Sequence, residues 1–175
     1  MSSPSTISRS VVISPDGLFR YRLDRWWSPA ADAREQRMPF MMLNPSIADS
    51  DVDDPTIRRC MAFARREGYS GITVVNIGAF RATDPRVWRR AADPFGPENL
   101  RHIDEVTSAS KIVMAAWGAD PLAQLSALGY LTHFAGTGIP VFCLGTTKDG
   151  HPRHPLYVPG DQPLIRLDAD PQSIP

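Results

Sequence analysis

Two short segments of the 175-residue chain carry the side chains best suited to catalysis. Asn44, in the turn Asn44-Pro45-Ser46, has an amide that can hold a water molecule or read the polar edge of a ligand. His154 lies in the proline-stiffened segment HPRHPLY, where an imidazole can face a developing negative charge. We therefore predict Asn44 and His154 as catalytic residues, although Asn and Ser beside Pro are also common in plain turns.

An acidic run follows this turn and contains four aspartates, at positions 49, 51, 53 and 54. Its alternate spacing resembles the start of a calcium loop, but Cys60 stands where such a loop has its final Glu. We therefore predict no metal site and interpret the run as a solvated loop that ends in a helix cap, with a divalent-metal site as the alternative. Asp49 or Asp54 can also act as a general base beside Asn44.

Polar residues also follow three later apolar segments, VVN, VMAAW and VFCLG. Gly118 lets a ligand or another backbone approach closely, and the arginines offer a planar fork to an anionic group. Structural roles are open as well, because Arg81 can pair with Asp84 and Trp117 can pack in the core. Together with the turn at Asn44, the candidate substrate-binding residues are Pro45, Ser46, Asn76, Arg81, Thr83, Trp117, Gly118, Lys148, His151, Arg153, Leu156 and Tyr157.

Strands and helices alternate along the chain and would position these residues. Short apolar segments rich in β-branched residues predict strands, and apolar residues three and four apart predict helices. An Asp-Gly turn predicts a hairpin near the N-terminal end. The predicted strands are 11–13, 18–23, 40–43, 72–77, 112–117 and 141–144, and the predicted helices are 55–68, 98–110 and 120–134.

This alternation predicts an α/β fold, a three-layer sandwich with a mostly parallel central sheet of about four strands. The hairpin is expected at an edge of that sheet. We expect a flexible tail at 1–9, a single α/β domain at 10–158 and an extended C-terminal tail at 159–175. Because ligands of open parallel sheets bind at the carboxyl ends of the strands, the polar segments are expected to share one site.

The composition is that of an ordinary globular protein, with 42% hydrophobic and 22% charged residues and a formal net charge of zero. No apolar run is long enough for a membrane helix and the first residues lack a secretion signal, so we expect a cytoplasmic protein without membrane contact. The two cysteines are expected to be buried free thiols. No cofactor is predicted, and the oligomeric state stays open.

Six sequence blocks resemble a bacterial family catalogued as domain of unknown function 1643. The blocks are MLNPSIAD, DDPTIRRC, VVNIGAFRATDP, AAWG, CLGTTKDG and PRHPLYV, and they span roughly residues 40–158. The order of motifs is also similar to that of the uracil-DNA glycosylase superfamily, with LNPS at 43–46, VMAAWG at 113–118 and HPRHPL at 151–156. This second resemblance implies that Asn44 positions water, that His154 or His151 stabilises the departing base, and that Leu156 enters the duplex.

Three functions follow as hypotheses. The first is a nucleobase N-glycosylase-like hydrolase that acts on a nucleoside or on a flipped-out base of a nucleic acid. The second is a non-catalytic module that binds a nucleotide or nucleic acid at the same edge of the sheet. The third is a metal-dependent phosphoesterase that uses the acidic run from Asp49 to Asp54.

Overall fold

A computed structural model describes residues 6–29, 36–46 and 52–167 of the chain. The helices are α1 (Pro55–Arg66), α2 (Pro85–Arg90), α3 (Asn99–Ser108) and α4 (Pro121–Thr137), and a 3₁₀ turn covers Pro155–Tyr157. The strands are β1 (Ser8–Ile13), β2 (Arg20–Trp26), β3 (Arg37–Met42), β4 (Gly71–Asn76), β5 (Val113–Ala115), β6 (Val141–Cys143) and β7 (Ile165–Arg166).

The strands form one mixed sheet in the order β1-β2-β4-β3-β5-β6-β7. Its centre is parallel, since β3 pairs in parallel with β4 and β5, and β5 pairs in parallel with β6. The outer strands run antiparallel to their neighbours. The prediction of an α/β fold with a parallel centre is confirmed, but the sheet has seven strands and is larger than the four that the sequence predicted.

The extra strands lie at the two edges of the sheet. The predicted hairpin is longer than expected, and its second strand continues the central sheet through four paired positions, from Leu23 opposite Val74 to Trp26 opposite Gly71. Gly17, at φ +75°, allows the tight turn between β1 and β2. At the other edge, part of the segment expected to be a C-terminal tail adds β7, which was missed because its two residues show no alternating pattern.

Helices cover both faces of the sheet, which gives three layers. On one face, Phe40 and Met114 belong to a core cluster with Ile57, Cys60 and Phe63 of α1. The residues that alternate with them along the strands point to the opposite face, where the core includes Ile103 of α3 and Phe134 of α4. The alternation along β3 and β5 thus places a helix layer on each side. Cys60 and Cys143 are buried free thiols, as predicted.

Three of the four α-helices in the described part of the chain begin at the same dipeptide, Asp-Pro. The aspartate side chain accepts a backbone N–H in each case, from Ile57 to Asp54, from Arg86 to Asp84 and from Leu122 to Asp120. Proline then occupies the first helical position, where no N–H is needed. Two of these starts were predicted, whereas the short helix α2 was not.

Candidate functional site

The order in which parallel strands are added to the sheet switches sides at β3, which lies in the middle of the sheet. We call this position the switch point. The chain passes from β3 to β4 on one side and then crosses to β5 on the other side. Because the connections leave β3 and β5 on opposite faces, a crevice opens beyond the carboxyl ends of these two strands. Asn44 follows β3, and Trp117 and Gly118 follow β5, so three predicted site residues lie at this point of the fold.

A cleft of about 690 Å³ occupies this position. Its volume is in the range usual for small-molecule sites. Its wall is formed by the ends of β3 and β5, by the starts of α2 and α4 and by residues of and just before the 3₁₀ turn. It is lined by Met42, Leu43, Asn44, Thr83, Asp84, Pro85, Arg86, Arg89, Trp117, Gly118, Ala119, Asp120, Pro121, His154 and Tyr157.

Asn44 is fixed in the cleft through its amide nitrogen. Nδ2 donates to the carbonyl oxygen of Ala82 at 2.7 Å and to that of Pro45 at 3.2 Å. The backbone of the same two loops is joined as well, because Ala82 N donates to Pro45 O at 2.9 Å. With both amide hydrogens held by carbonyl groups, the side-chain oxygen Oδ1 is the atom through which Asn44 can accept a hydrogen bond from water or a ligand.

The loop that carries His154 is attached to three different elements. Gly118 N, after β5, donates to Pro152 O at 3.0 Å, and Arg153 N donates to Gly145 O at 3.0 Å. Arg59 of α1 donates through Nη2 to Val158 O at 2.5 Å. Gly118 has φ +79°, a conformation that favours glycine, so this contact depends on the residue type after β5.

The His154 ring has a defined protonation pattern. Nδ1 accepts the N–H of Leu156 at 3.3 Å, so the neutral ring carries its proton on Nε2. Burial lowers the pKa of His154 below its ordinary value, and the charge of Asp54 offsets part of this effect. At neutral pH the side chain is therefore a neutral imidazole with one N–H available as a donor.

Two arginine–aspartate pairs border the cleft, and neither was predicted as part of the site. Asp84 accepts hydrogen bonds from the guanidinium and from the backbone N–H of Arg86, and both lower the pKa of its carboxyl group. Arg89 pairs with Asp120, whose other oxygen caps α4. The repeated Asp-Pro dipeptide was the sequence signal for these carboxylates. The two arginines belong to α2, and they were not expected at the cleft because this helix was not predicted.

The predicted carboxylates have structural contacts where they are described. Asp54 caps α1 by accepting Ile57 N at 2.8 Å. Asp53 forms ion pairs with Arg25 at 2.6 Å and with Arg9 at 2.8 Å. Asp49 and Asp51 lie outside the described residues. Within the described ranges, no group of three or more His, Cys, Asp or Glu side chains is arranged to hold a metal ion.

The structure brings only some of the predicted residues together. Asn44, Thr83, Trp117, Gly118, His154 and Tyr157 line the cleft. Arg81 lies beside it, since it precedes Ala82, and its Nη1 donates to Gly17 O at 3.0 Å. The backbone oxygen of Asn76 accepts from Asn99 Nδ2 at 3.0 Å in the interior. The remaining candidates outside the cleft lining are Pro45, Ser46, Lys148, His151, Arg153 and Leu156.

Trp117 contributes to both the core and the cleft. The side chain is 3% exposed and belongs to the core cluster on the face of α3 and α4. It nevertheless borders the cleft beside Gly118. The two alternatives considered from the sequence, core packing and ligand contact, are therefore compatible at this position.

Comparison with known proteins gives a family but no described activity. None of the described helices has the length and apolar character needed to span a membrane. No curated protein and no solved structure matches the chain significantly. The model of the family described as "Protein of unknown function (DUF1643)" matches residues 20–156, which is most of the chain. The chain therefore belongs to the DUF1643 family.

Proposed function

We propose that this protein is a nucleobase N-glycosylase-like hydrolase. The observation that carries the proposal is that Asn44 and His154, far apart in sequence, border one cleft at the switch point of the sheet. One of them offers an acceptor oxygen and the other a neutral N–H donor. This is the pair of groups required to hold a water molecule on one side of a glycosidic bond and to stabilise the departing base on the other.

Each residue has a defined task in the proposed reaction. The bond between the sugar carbon and the base nitrogen breaks with its electron pair leaving on the base, while the sugar becomes oxocarbenium-like. His154 Nε2–H donates to the base and offsets its negative charge. Water held by Asn44 Oδ1 then adds to the sugar carbon and releases a proton to solvent, since an amide cannot take it.

The surroundings of the cleft support a nucleobase-sized substrate. Met42, Leu43 and Trp117 give part of the wall an apolar character suited to a flat ring, while Asn44 and Thr83 offer polar groups at its edge. Tyr157, at the mouth, is 73% exposed, and Leu156 next to it is 39% exposed. In a polymeric substrate these two side chains would meet the neighbouring nucleotides, as the likeness to uracil-DNA glycosylases implies for Leu156.

A non-catalytic nucleotide-binding module is the second candidate. It is favoured by the contacts of the carboxylates near the cleft, because Asp54 and Asp120 cap helices and Asp84 pairs with Arg86. A general base would have to leave such a contact. The third candidate, a metal-dependent phosphoesterase, relies on the acidic run, in which Asp53 and Asp54 already hold ion-pair and cap contacts.

Base release from a defined panel tests the proposal. The panel contains single-stranded and duplex oligonucleotides with deaminated, oxidised or alkylated bases, together with the free nucleosides. For the substrate that is cleaved, we expect His154→Ala to lower the rate by about 10²- to 10³-fold, the loss typical of one transition-state donor. Asn44→Ala should lower the rate as well, because it removes the oxygen that holds the water. His151→Ala, in the same loop but outside the cleft lining, is the matched control and should retain activity.

The outcomes separate the three candidates. A greater loss in His151→Ala than in His154→Ala would assign the role to the other histidine of the loop. Ligand-dependent stabilisation without base release from any substrate would contradict the hydrolase and favour the binding module. Activity that chelators abolish and magnesium or manganese restores would favour the phosphoesterase.

A further inference from the structure

Arg20 is a buried cation at the start of β2 with an unsatisfied donor. The residue is 8% exposed, and its Nε has no hydrogen-bond partner among the residues that the structure describes. Burial lowers the pKa of Arg20 to about 10, so the side chain keeps its charge at neutral pH. A buried charge without hydrogen-bonded compensation is destabilising, and such groups are usually paired or bound to a ligand.

Arg25 on the same strand shows how a buried arginine is normally satisfied. Its side chain is 0% exposed and forms an ion pair with Asp53 at 2.6 Å. It also donates through Nη1 to Asp24 O at 2.8 Å. The charges that act on Arg20 are two further arginines, Arg81 and Arg25, and one aspartate, Asp54. Arg20 therefore lies in a region where an added anion would be attracted.

Backbone hydrogen bonds link Arg20 to a segment that reaches the candidate site, although Arg20 itself is not among the residues that line the cleft. Arg20 N donates to Ala79 O at 2.9 Å, and Arg81 N donates to Leu18 O at 2.9 Å, so the start of β2 is joined to the segment after β4. That segment continues to Ala82, whose carbonyl oxygen holds the amide of Asn44. Asp54 acts electrostatically on both Arg20 and His154, so these two side chains are influenced by the same carboxylate.

We infer that the guanidinium of Arg20, with Arg81 beside it, binds a phosphate group of the ligand that occupies the cleft. The inference rests on the proposed function and narrows its substrate class, because a nucleotide or a nucleic-acid strand carries this phosphate whereas a free base or nucleoside does not. Arginine suits the task, since its planar fork donates two hydrogen bonds to neighbouring phosphate oxygens.

Thermal unfolding of the full chain with three probes tests the inference. The probes are inorganic phosphate, a panel of nucleoside 5′-monophosphates and the matching nucleosides, all at constant ionic strength. In the wild-type protein we expect at least one monophosphate to raise Tm further than its nucleoside does. In Arg20→Met, which keeps an unbranched apolar chain but removes the charge and the donors, the additional rise should be lost, with at least a tenfold weaker apparent Kd.

The ligand-free variants distinguish a binding arginine from a structural one. Because Arg20 lacks full compensation, Arg20→Met should keep or raise the Tm of the ligand-free protein. Arg25→Met is the matched control and should lower Tm by several degrees, since it leaves Asp53 without its buried partner. Arg20→Lys, which keeps the charge, should retain part of the response to the monophosphate.

Two results would overturn the inference. One is a loss of Tm in ligand-free Arg20→Met as large as in Arg25→Met, and the other is an unchanged response of Arg20→Met to the monophosphate. Release of a base from a nucleoside 5′-monophosphate that depends on Asn44 but not on Arg20 would remove the phosphate site and leave the proposed hydrolase standing. No base release from any substrate, together with an Arg20-dependent response to a monophosphate, would reject the hydrolase and keep the phosphate site.

Discussion

His154 illustrates how burial and one hydrogen bond set the state of a single residue. Its Nδ1 accepts Leu156 N–H at the start of the 3₁₀ turn, and its ring lies 5.5 Å from that of Tyr157, measured between centroids. Protonation of Nδ1 would break the first contact and place a charge in a desolvated position. The neutral form is thus the one that the folded protein favours, even though Asp54 on α1 pulls in the opposite direction.

A dependence of stability on pH follows from the histidines. Burial lowers the pKa of both His154 and His102 in the folded protein, so the unfolded chain binds more protons as the pH falls below about 6.5. We expect Tm to be highest above that pH and to fall as the pH is lowered toward 5. His154→Gln should make this decrease of Tm shallower. The double variant with His102→Gln should lose most of the remaining pH dependence of Tm.

Circular dichroism melts in buffers between pH 5 and pH 8 measure this effect. The exposed His133, on α4, provides the control variant His133→Gln. A decrease in Tm that is equally steep in wild type, His154→Gln and the double variant would contradict the assignment of a lowered pKa to these two residues.

Some site residues could be foreseen from the sequence and others could not. Asn44 directly follows a short apolar segment and Trp117 ends another, and residues at the end of a parallel strand must lie at the carboxyl edge of the sheet. Arg20 reads in the sequence as part of a hairpin strand with one exposed face. It is buried in the structure beside a register shift between Val12 and Ile13, and local sequence reveals neither feature.

Among the elements, the helices show where periodicity is informative. In α1 the apolar residues Ile57, Cys60, Met61 and Ala64 follow the helical spacing and are all buried, so the helix was predicted within two residues. The short helix α2 has six residues and a single buried side chain, Trp88. Too few apolar positions fall within it to produce a period, and so the arginines that it places at the cleft were missed.

Asp54, at the start of α1, can be assigned to capping or to catalysis by a paired substitution. If the carboxylate only caps the helix, Asp54→Asn should keep stability and activity, because asparagine is an equally good cap. Asp54→Ala should lower the free energy of unfolding by about 1 kcal/mol. Urea unfolding and the base-release assay of the same two proteins give both quantities.

Activity separates the two roles of Asp54. A general base cannot be replaced by an amide, so a catalytic Asp54 would lose activity by about 10²-fold or more in Asp54→Asn although its stability is unchanged. Retained activity in Asp54→Asn would instead leave the positioning of the water to Asn44 and the removal of its proton to solvent. Asp120→Asn, at the equivalent position of α4, controls for the removal of a cap charge near the cleft.

In the whole molecule, a buried polar network joins the hairpin to the parallel strands. Asp24 is 1% exposed and accepts hydrogen bonds from Arg22 at 2.9 Å and from Thr73 at 2.7 Å. Arg37 of β3 lies 3.1 Å from the same carboxylate. The network thus spans β2, β4 and β3, and it fixes the hairpin against the centre of the sheet.

The order of the strands is the part of the fold that local sequence could not supply. The four parallel strands were each predicted from apolar composition, and their common direction followed from the intervening helices. Which strand lies beside which depends on long-range contacts such as the pairing of Asp24 with Arg37. The cleft needs β3 between β4 and β5, so the shared site could be predicted only in outline.

The claim that Asn44 and His154 act on one ligand is tested most directly by a binding titration. Each nucleobase is added to ¹⁵N-labelled protein, and the side-chain amide signal of Asn44 and the imidazole signals of His154 are followed by NMR. We predict that at least one base shifts both sets of signals with the same midpoint, while the signals of the exposed His133 stay unchanged. If every base leaves one of the two residues unaffected, or shifts them with different midpoints, the two side chains do not share a ligand and the proposed mechanism is wrong.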